Sequence, residues 1–224
     1  MAFLNRLSES SAQPSLSVGK LKRYFYNLPT LPEQQKIATF LGLVDRRLAV
    51  ARRRGALLEI RKNILIREVF EPSATWSNIK LSDISLIRKG KGISKSDIVN
   101  NGSLPCIRYG ELYTTYGEVI DEVFSSTNIP GSQLILSEGN EVLIPASGET
   151  AIDIATAACV IRKGIALGSD MNIIKTEIDG RFLAYQLSGP LKLELAKLAQ
   201  SVSVMHIYGK QLEELMIRVP NEST

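Results

Sequence analysis

The chain has 224 residues, of which 44% are hydrophobic and 22% are charged, as in an ordinary folded protein with a sizeable core. It has no uncharged apolar run of about 18 residues and no secretory signal, which excludes a membrane span and predicts a cytoplasmic location. The net charge of +4 weakly favours a polyanionic partner. The single histidine and two isolated cysteines show no metal-ligand spacing, so we expect neither a metal nor a cofactor.

The first residues resemble a later part of the same chain. Residues 4–29 align without a gap on residues 195–220, and the apolar positions coincide while the polar ones differ. Leu4, for example, falls on Leu195, and Pro29 falls on Pro220. Chance supplies some of these matches, because nearly half of the chain is apolar. If the similarity is not due to chance, the alignment predicts that residues 1–30 are the C-terminal tail of a preceding repeat unit.

A long helix is predicted for residues 31–71. Thr30 is a good N-cap, Pro32 suits the first turn, and Glu33 completes a capping box. No proline follows until Pro72, which ends the run. At 1.5 Å per residue, a helix over residues 32–70 is roughly 58 Å long.

Apolar positions in this helix recur at alternating spacings of four and three residues, which is the pattern of a coiled-coil seam. The seam positions are Ile37, Leu41, Val44, Leu48, Ala51, Gly55, Leu58, Lys62, Leu65 and Val69. An intramolecular helical hairpin would also bury such a seam, but the chain supplies no second helix of matching length. We therefore expect the chain to form a homodimer through this helix.

The remaining residues, 72–224, are predicted to form one mixed α+β domain. Short apolar or β-branched runs alternate with turns rich in Gly, Asn and Ser. The predicted strands are Ile79–Ile87, Leu104–Tyr109, Gly117–Val123, Glu141–Pro145, Ala157–Ile161, Ile173–Thr176 and Leu215–Val219. A helix is predicted over Gly180–Ala199, with Leu183, Leu187, Leu191, Leu195 and Leu198 on one face.

Several segments together resemble the specificity subunits of type I restriction-modification systems. The run LPTLPEQQKIA at residues 28–38 is similar to the opening of that family's spacer helix. Segments similar to its target-recognition domain are Trp76–Ile87 with RKGKG at 88–92, PCIRYG at 105–110, EVLI at 141–144 with Ser147-Gly148, and HIYGK at 206–210. The resemblance extends over nearly the whole chain and implies recognition of double-stranded DNA without catalysis.

The chain departs from this family in one respect. Family members usually hold two recognition domains and two spacer helices, packed antiparallel, whereas this chain has one complete domain and one helix. The resemblance therefore implies a half subunit, whose homodimer would read an inverted-repeat, bipartite target. It also implies that methyltransferase subunits bind the spacer helices and that restriction subunits are recruited through them.

The cation-rich loop after residue 87 is the first candidate DNA contact. Lysines supply charge for phosphates, and Gly90 and Gly92 allow backbone amides to approach phosphate oxygens. A solvated hairpin loop is the alternative. The candidate residues are Lys89, Lys91 and Lys95.

The segment from Arg108 to Tyr116 is the candidate for reading base edges. Arg108 offers a fork of donors for guanine, and Glu111 could accept from cytosine. Tyr113 and Tyr116 could pack on sugars or bases. Tyr109 is equally well explained as a core residue, because it closes an apolar strand.

Two shorter candidates complete the predicted site. Ser147 and Glu149 follow a strand in a Ser-Gly turn, which is a common and therefore unspecific feature. His206 and Tyr208 could contact DNA, although a structural histidine is about equally consistent with the sequence. The predicted DNA-binding set is therefore Lys89, Lys91, Lys95, Arg108, Tyr109, Glu111, Tyr113, Tyr116, Ser147, Glu149, His206 and Tyr208.

The sequence lacks the motifs of the enzymes that act on DNA. It has no Gly-rich cofactor turn after a strand, no Asn/Asp-Pro-Pro-aromatic motif and no Walker A motif. A non-catalytic reader of DNA is therefore predicted. The alternative is a coiled-coil adaptor whose α+β domain binds protein, and it would show no salt-dependent affinity for DNA.

Overall fold

The computed structural model describes residues 27–71, 75–199 and 204–221, together with the isolated Gly19. The predicted repeat-unit tail lies almost entirely outside these residues. The chain divides into two compact units between Leu58 and Glu59. No helix among the described residues is long and apolar enough to cross a membrane.

The predicted long helix is present as one unbroken helix, α1, which spans Leu31–Val69. Its start is fixed by Glu33, whose Oε2 accepts hydrogen bonds from the Thr30 backbone N–H at 2.8 Å and the Thr30 hydroxyl at 2.7 Å. None of its side chains is fully buried. The seam leucines therefore remain available to a partner.

The rest of the chain forms the predicted mixed α+β domain. Its strands are β1 Trp76–Lys80, β2 Ser85–Lys89, β3 Leu104–Ile107, β4 Val119–Ile120, β5 Ser125–Thr127, β6 Glu141–Pro145, β7 Ser147–Gly148, β8 Ala158–Val160, β9 Ala166–Leu167, β10 Met171–Thr176, β11 Met205–His206 and β12 Met216–Pro220. The helices that follow α1 are α2 Glu111–Thr114, α3 Ala151–Ile154, α4 Gly180–Ser188, α5 Lys192–Lys197 and α6 Gly209–Glu213.

A five-stranded sheet with the order β2-β10-β6-β8-β4 lies at the centre of the domain. Its pairs are antiparallel except β4 with β8. Side chains from α4 and α5 cover one face, and residues near β3, α2 and β9 cover the other. All five residues of β6 are buried because both faces are covered, which explains why its last four residues, 142–145, form an apolar run.

One strand and one helix were each predicted as continuous, and the structure shows that each is interrupted. The strand predicted over Ile79–Ile87 is two strands, because a 3-10 turn at Leu81–Asp83 separates them and buries Leu81. The helix predicted over Gly180–Ala199 ends at Ser188 and resumes at Lys192. Pro190 lacks an N–H and disfavours a helical residue before it, so the helix breaks there.

The last turns of α1 pack on the domain within the second unit. Phe70 is buried, with its ring centroid 5.1 Å from that of Phe182 and 6.0 Å from that of Trp76. A Cβ added at Gly189 would lie 2.5 Å from Ile66 Cγ2, so only glycine allows this close approach. These contacts fix the end of the helix on the domain.

Candidate nucleic-acid interface

Most of the candidate residues lie at one edge of the central sheet, where β2 and β6 end and β10 begins. Lys89 ends β2 and lies opposite Asn172, while Pro145 ends β6 and lies opposite Met171. The Gly90 N–H donates to Met171 O at 3.0 Å, which holds the loop after β2 against the start of β10. We call the segments gathered here the loop edge: residues 89–92, 108–113, 147–150 and 205–210.

Backbone hydrogen bonds join the other segments of the loop edge to this point. Ile207 N–H donates to Ala146 O at 3.1 Å, and His206 pairs with Ser147 across the ribbon formed by β7 and β11. Lys91 N–H donates to Leu167 O at 3.1 Å, and Gly168 N–H donates to Ile107 O at 2.9 Å. The cation loop and the start of the Arg108 segment are therefore both held by the chain around Gly168.

The cation loop has a strict requirement for one of its glycines. A Cβ added at Gly90 would lie 1.8 Å from the carbonyl oxygen of Gly168, a distance that no side chain tolerates. Lys89 and Lys91 on either side are exposed. The loop thus presents two cations from a backbone that is closely packed beneath them.

Arg108 is held in place by Glu111. Glu111 Oε2 accepts a hydrogen bond from the Arg108 backbone N–H at 2.8 Å, and its Oε1 lies 4.0 Å from Arg108 Nη2. The Ser125 hydroxyl donates to the same carboxylate. Because the Glu111 side chain is only 12% exposed, this geometry suits a positioning residue better than a base contact. Arg108 Nε is buried and has no hydrogen-bond partner among the described residues.

Tyr113 belongs to the same group of side chains. Burial raises the pKa of its phenol, and the nearby Tyr109, Glu149 and Asp153 raise that pKa further. The hydroxyl therefore stays protonated at neutral pH and can donate a hydrogen bond. Tyr109 itself is half-buried against the core, as the sequence allowed.

The aromatic pair at the end of the chain faces the cation loop. The His206 and Tyr208 rings stack with centroids 6.0 Å apart, and Lys89 Nζ lies 5.9 Å from the centroid of the Tyr208 ring. His206 is half-buried and Tyr208 is exposed. Tyr208 thus lies beside Lys89, and its neighbour His206 pairs with Ser147, although nothing in the sequence placed these residues together.

Two predicted residues lie apart from the others. Tyr116 stacks on Phe124 with ring centroids 5.9 Å apart, and its hydroxyl accepts from the Phe124 N–H. It borders a cleft beside the last turns of α1 rather than the loop edge. Lys95 begins a 3-10 turn, and no hydrogen bond or ion pair joins it to the other candidates in the described part of the chain.

Asn172, Gly209 and Lys210 were not predicted as site residues. They line a pocket with Lys89 and Tyr208. Asn172 is a fully buried polar residue in the otherwise apolar start of β10. A polar residue inside an apolar strand was the available signal, but the predicted strand began one residue later. Within the described ranges, no cluster of His, Cys, Asp and Glu could hold a metal ion.

Comparison with known protein families agrees with this architecture. A sequence model described as the type I restriction modification DNA specificity domain matches residues 1–59 and 73–224. The chain belongs to this family. The resemblance noted in the sequence is thereby confirmed for the specificity domain. A comparison with curated proteins gives no significant match.

Solved structures share the fold of this specificity-domain chain. The HsdS subunit from Thermoanaerobacter tengcongensis matches 98% of the chain and 55% of its own length, with 18% identity and a TM-score of 0.50. A structure concerning complex assembly and conformational transition of the type I R-M system matches 95% of the chain and 53% of its own length, with 17% identity and a TM-score of 0.55. The specificity-domain chain thus spans about half the length of these structures, and the predicted fold class is confirmed.

Proposed function

We propose that this chain recognises a specific DNA sequence as the non-catalytic specificity component of a cytoplasmic type I restriction-modification complex. Family membership supports the class of function. The observation that carries the proposal is the loop edge, where segments distant in sequence place cations, donors and aromatic rings together. Proteins that read DNA need cations for phosphates and side chains of fixed geometry for base edges.

The residues of the loop edge divide into two roles under this proposal. Lys89 and Lys91 are exposed and would bind phosphates. Arg108 would donate to a guanine edge through the exposed part of its guanidinium group, because Glu111 fixes its backbone and its side chain is 25% exposed. The remaining predicted contacts at this edge are Tyr113, Ser147, Glu149, His206 and Tyr208. Lys95 and Tyr116 stay predictions from the sequence, without support from their positions.

Self-association through α1 would place two loop edges on one DNA duplex. The seam side chains Leu41, Leu48 and Leu58 are 53%, 48% and 57% exposed, which is unfavourable for apolar residues in water. A second copy of α1 offers a seam of the same length. The homodimer would contain the two recognition domains expected of a bipartite target, as the half-subunit hypothesis requires.

The helix also carries a second apolar stripe beside the seam. Its members are Phe40, Leu43, Val50, Leu57 and Ile64, all of which are exposed. One partner helix cannot cover both stripes, because a two-stranded seam buries only a narrow face. We assign the second stripe to the methyltransferase subunits, through which restriction subunits would join.

DNA binding by the full chain with its cognate methyltransferase subunits tests the proposal. Selection from randomised duplexes should yield one bipartite sequence, and the affinity for that sequence should fall as salt concentration rises. Equal, salt-independent retention of all duplexes would contradict the proposal and favour the adaptor alternative. Family membership and the cationic loop edge do not favour that alternative.

Replacing Arg108 by alanine is expected to abolish selection at one base pair. The loss should be about 1–3 kcal/mol for the preferred base and near zero elsewhere in the target. Titrations with every single-base variant of the selected duplex measure this pattern. Arg162→Ala is the matched control, because Arg162 is an exposed arginine after β8, at the opposite end of the central sheet. Unchanged selection at all positions would remove Arg108 from the reading residues.

Replacing Lys91 by alanine is expected to weaken all sequences about equally. A lost phosphate contact should lower the slope of log affinity against log salt by about 1 without changing base preference. Binding isotherms for the selected duplex and a scrambled duplex at several salt concentrations measure this slope. Lys163→Ala controls for the loss of one positive charge. A changed base preference in Lys91→Ala would instead assign this lysine to base reading.

A further inference from the structure

A pocket of about 440 Å³ opens on the loop edge between the end of β2 and the start of α6. Lys89, Tyr208, Gly209 and Lys210 line it, and Asn172 lies within its wall. Asn172 pairs directly with Lys89 across the β2–β10 ladder, so the two side chains project from the same face of the sheet. The apolar core on that face ends at Asn172, and the pocket begins there.

The orientation of the Asn172 amide follows from its one hydrogen bond. Its Nδ2 donates to Ile207 O at 3.0 Å, and a carbonyl oxygen can only accept, so the nitrogen must face Ile207. The other end of the amide is therefore the oxygen. Asn172 Oδ1 is buried and has no hydrogen-bond partner among the described residues.

Gly209 lies beside this oxygen and presents no side chain towards it. A Cβ at that position would lie 3.9 Å from Asn172 Oδ1 and 3.4 Å from Ile87 Cγ2. These are ordinary contact distances, so alanine would fit without distorting the backbone while narrowing the approach to the oxygen. Lys89 and Tyr208 border the same approach with exposed side chains that are able to turn aside.

The chemistry of the oxygen limits what it can recognise on DNA. Phosphate and deoxyribose oxygens are acceptors only, so the DNA backbone offers Asn172 Oδ1 no donor. The donors in the major groove are the amino groups of adenine N6 and cytosine N4. Lys89 and Lys210 supply charge for phosphates on either side of such a base.

We infer that Asn172 is a specificity-determining residue whose Oδ1 accepts a hydrogen bond from the amino group of an adenine or a cytosine in the target. The inference rests on the proposed function and extends it to a residue outside the predicted site. Gly209 is a positioning residue, because a side chain there would narrow the path to the buried oxygen that opens when Lys89 and Tyr208 turn aside.

Base analogues that lack one amino group test the inference. In the duplex selected by the full chain with its methyltransferase subunits, each adenine is replaced in turn by purine and each cytosine by pyrimidin-2-one. The wild-type chain should lose roughly 5- to 150-fold in affinity at the position read by Asn172. Gly209→Ala should bind the amino-bearing and amino-free duplexes equally at that position and discriminate normally elsewhere.

Two further variants make the result decisive. Gly117→Ala is the matched control, because a Cβ there has no neighbour within 4 Å, and it should discriminate like the wild type. Asn172→Leu should show the same single-position loss as Gly209→Ala, and Gly209→Ala retains the Asn172–Ile207 hydrogen bond if the leucine variant fails to fold.

The possible outcomes separate this inference from the proposed function. Full discrimination at every position in Gly209→Ala would overturn the inference. Equal weakening of all duplexes would also overturn it, because it would indicate a backbone contact. A wild-type complex that selects no sequence would instead reject the proposed function itself.

Discussion

Replacing Leu48 by glutamate is expected to disrupt the proposed homodimer and leave a monomer. Leu48 is an exposed seam residue near the midpoint of α1, so each protomer would lose one buried leucine. At about 1.5–3 kcal/mol for each side chain, the dimer loses about 3–6 kcal/mol, which raises its Kd by roughly 150- to 20,000-fold. In an antiparallel pair the two glutamates would also repel each other.

Sedimentation equilibrium at micromolar concentration measures this change. Ala49→Glu is the matched control, because it adds the same charge at an exposed position that belongs to neither apolar stripe. It should remain dimeric, and both variants should keep the thermal unfolding of the recognition domain. A Leu48→Glu variant that stays dimeric would show that the seam is not the dimer interface.

Replacing Gly90 by alanine is expected to destabilise the domain and separate the segments of the loop edge. The added Cβ would lie 1.8 Å from Gly168 O, and both groups belong to the backbone, so neither can turn away. The Gly90–Met171 and Lys91–Leu167 hydrogen bonds would be strained together. We expect a loss of about 2–4 kcal/mol, which corresponds to a fall in Tm of roughly 4–16 °C.

Thermal unfolding and DNA affinity should be measured on the same preparations. Gly117→Ala adds the same methyl group in open space and should change neither quantity. Sequence selection by Gly90→Ala should weaken even at temperatures where the variant is folded, because Lys89 and Lys91 move away from Arg108. A variant with normal selection and normal stability would contradict the packing described for this loop.

The long helix was predictable because its signals are local. Thr30 and Glu33 mark its start in the sequence and Pro72 marks the end of the proline-free run, and the observed helix, Leu31–Val69, lies within the predicted residues 31–71. The strand β6 was predicted with its observed bounds, because burial on both faces leaves an apolar run over residues 142–145. Elements of two or three residues, such as β5 and β9, leave too short a pattern to detect.

The composition of the site was predictable only in part. The lysines, the arginine and the aromatic residues could be recognised as candidates from their chemistry. Their proximity, however, depends on hydrogen bonds between segments that are far apart in sequence. Glu111 looked like a base reader and is turned inward on Arg108, a distinction made by packing. Asn172 was not predicted because the predicted strand began one residue after it. The lack of a partner for its oxygen among the described residues results from packing, which no sequence pattern reports.

The pairing of β1 with β12 places the first and the last strand of the recognition domain side by side, with Trp76 opposite Pro220. A module bounded in this way can be exchanged between related proteins by two cuts at neighbouring points, without threading through the rest of the fold. Such a hybrid would need to keep Phe182 and Gly189, because these residues seat the end of α1. The loop edge lies on other segments, so its sequence can change without disturbing these contacts. Under the proposed function, exchange of a whole domain would therefore transfer a new DNA specificity.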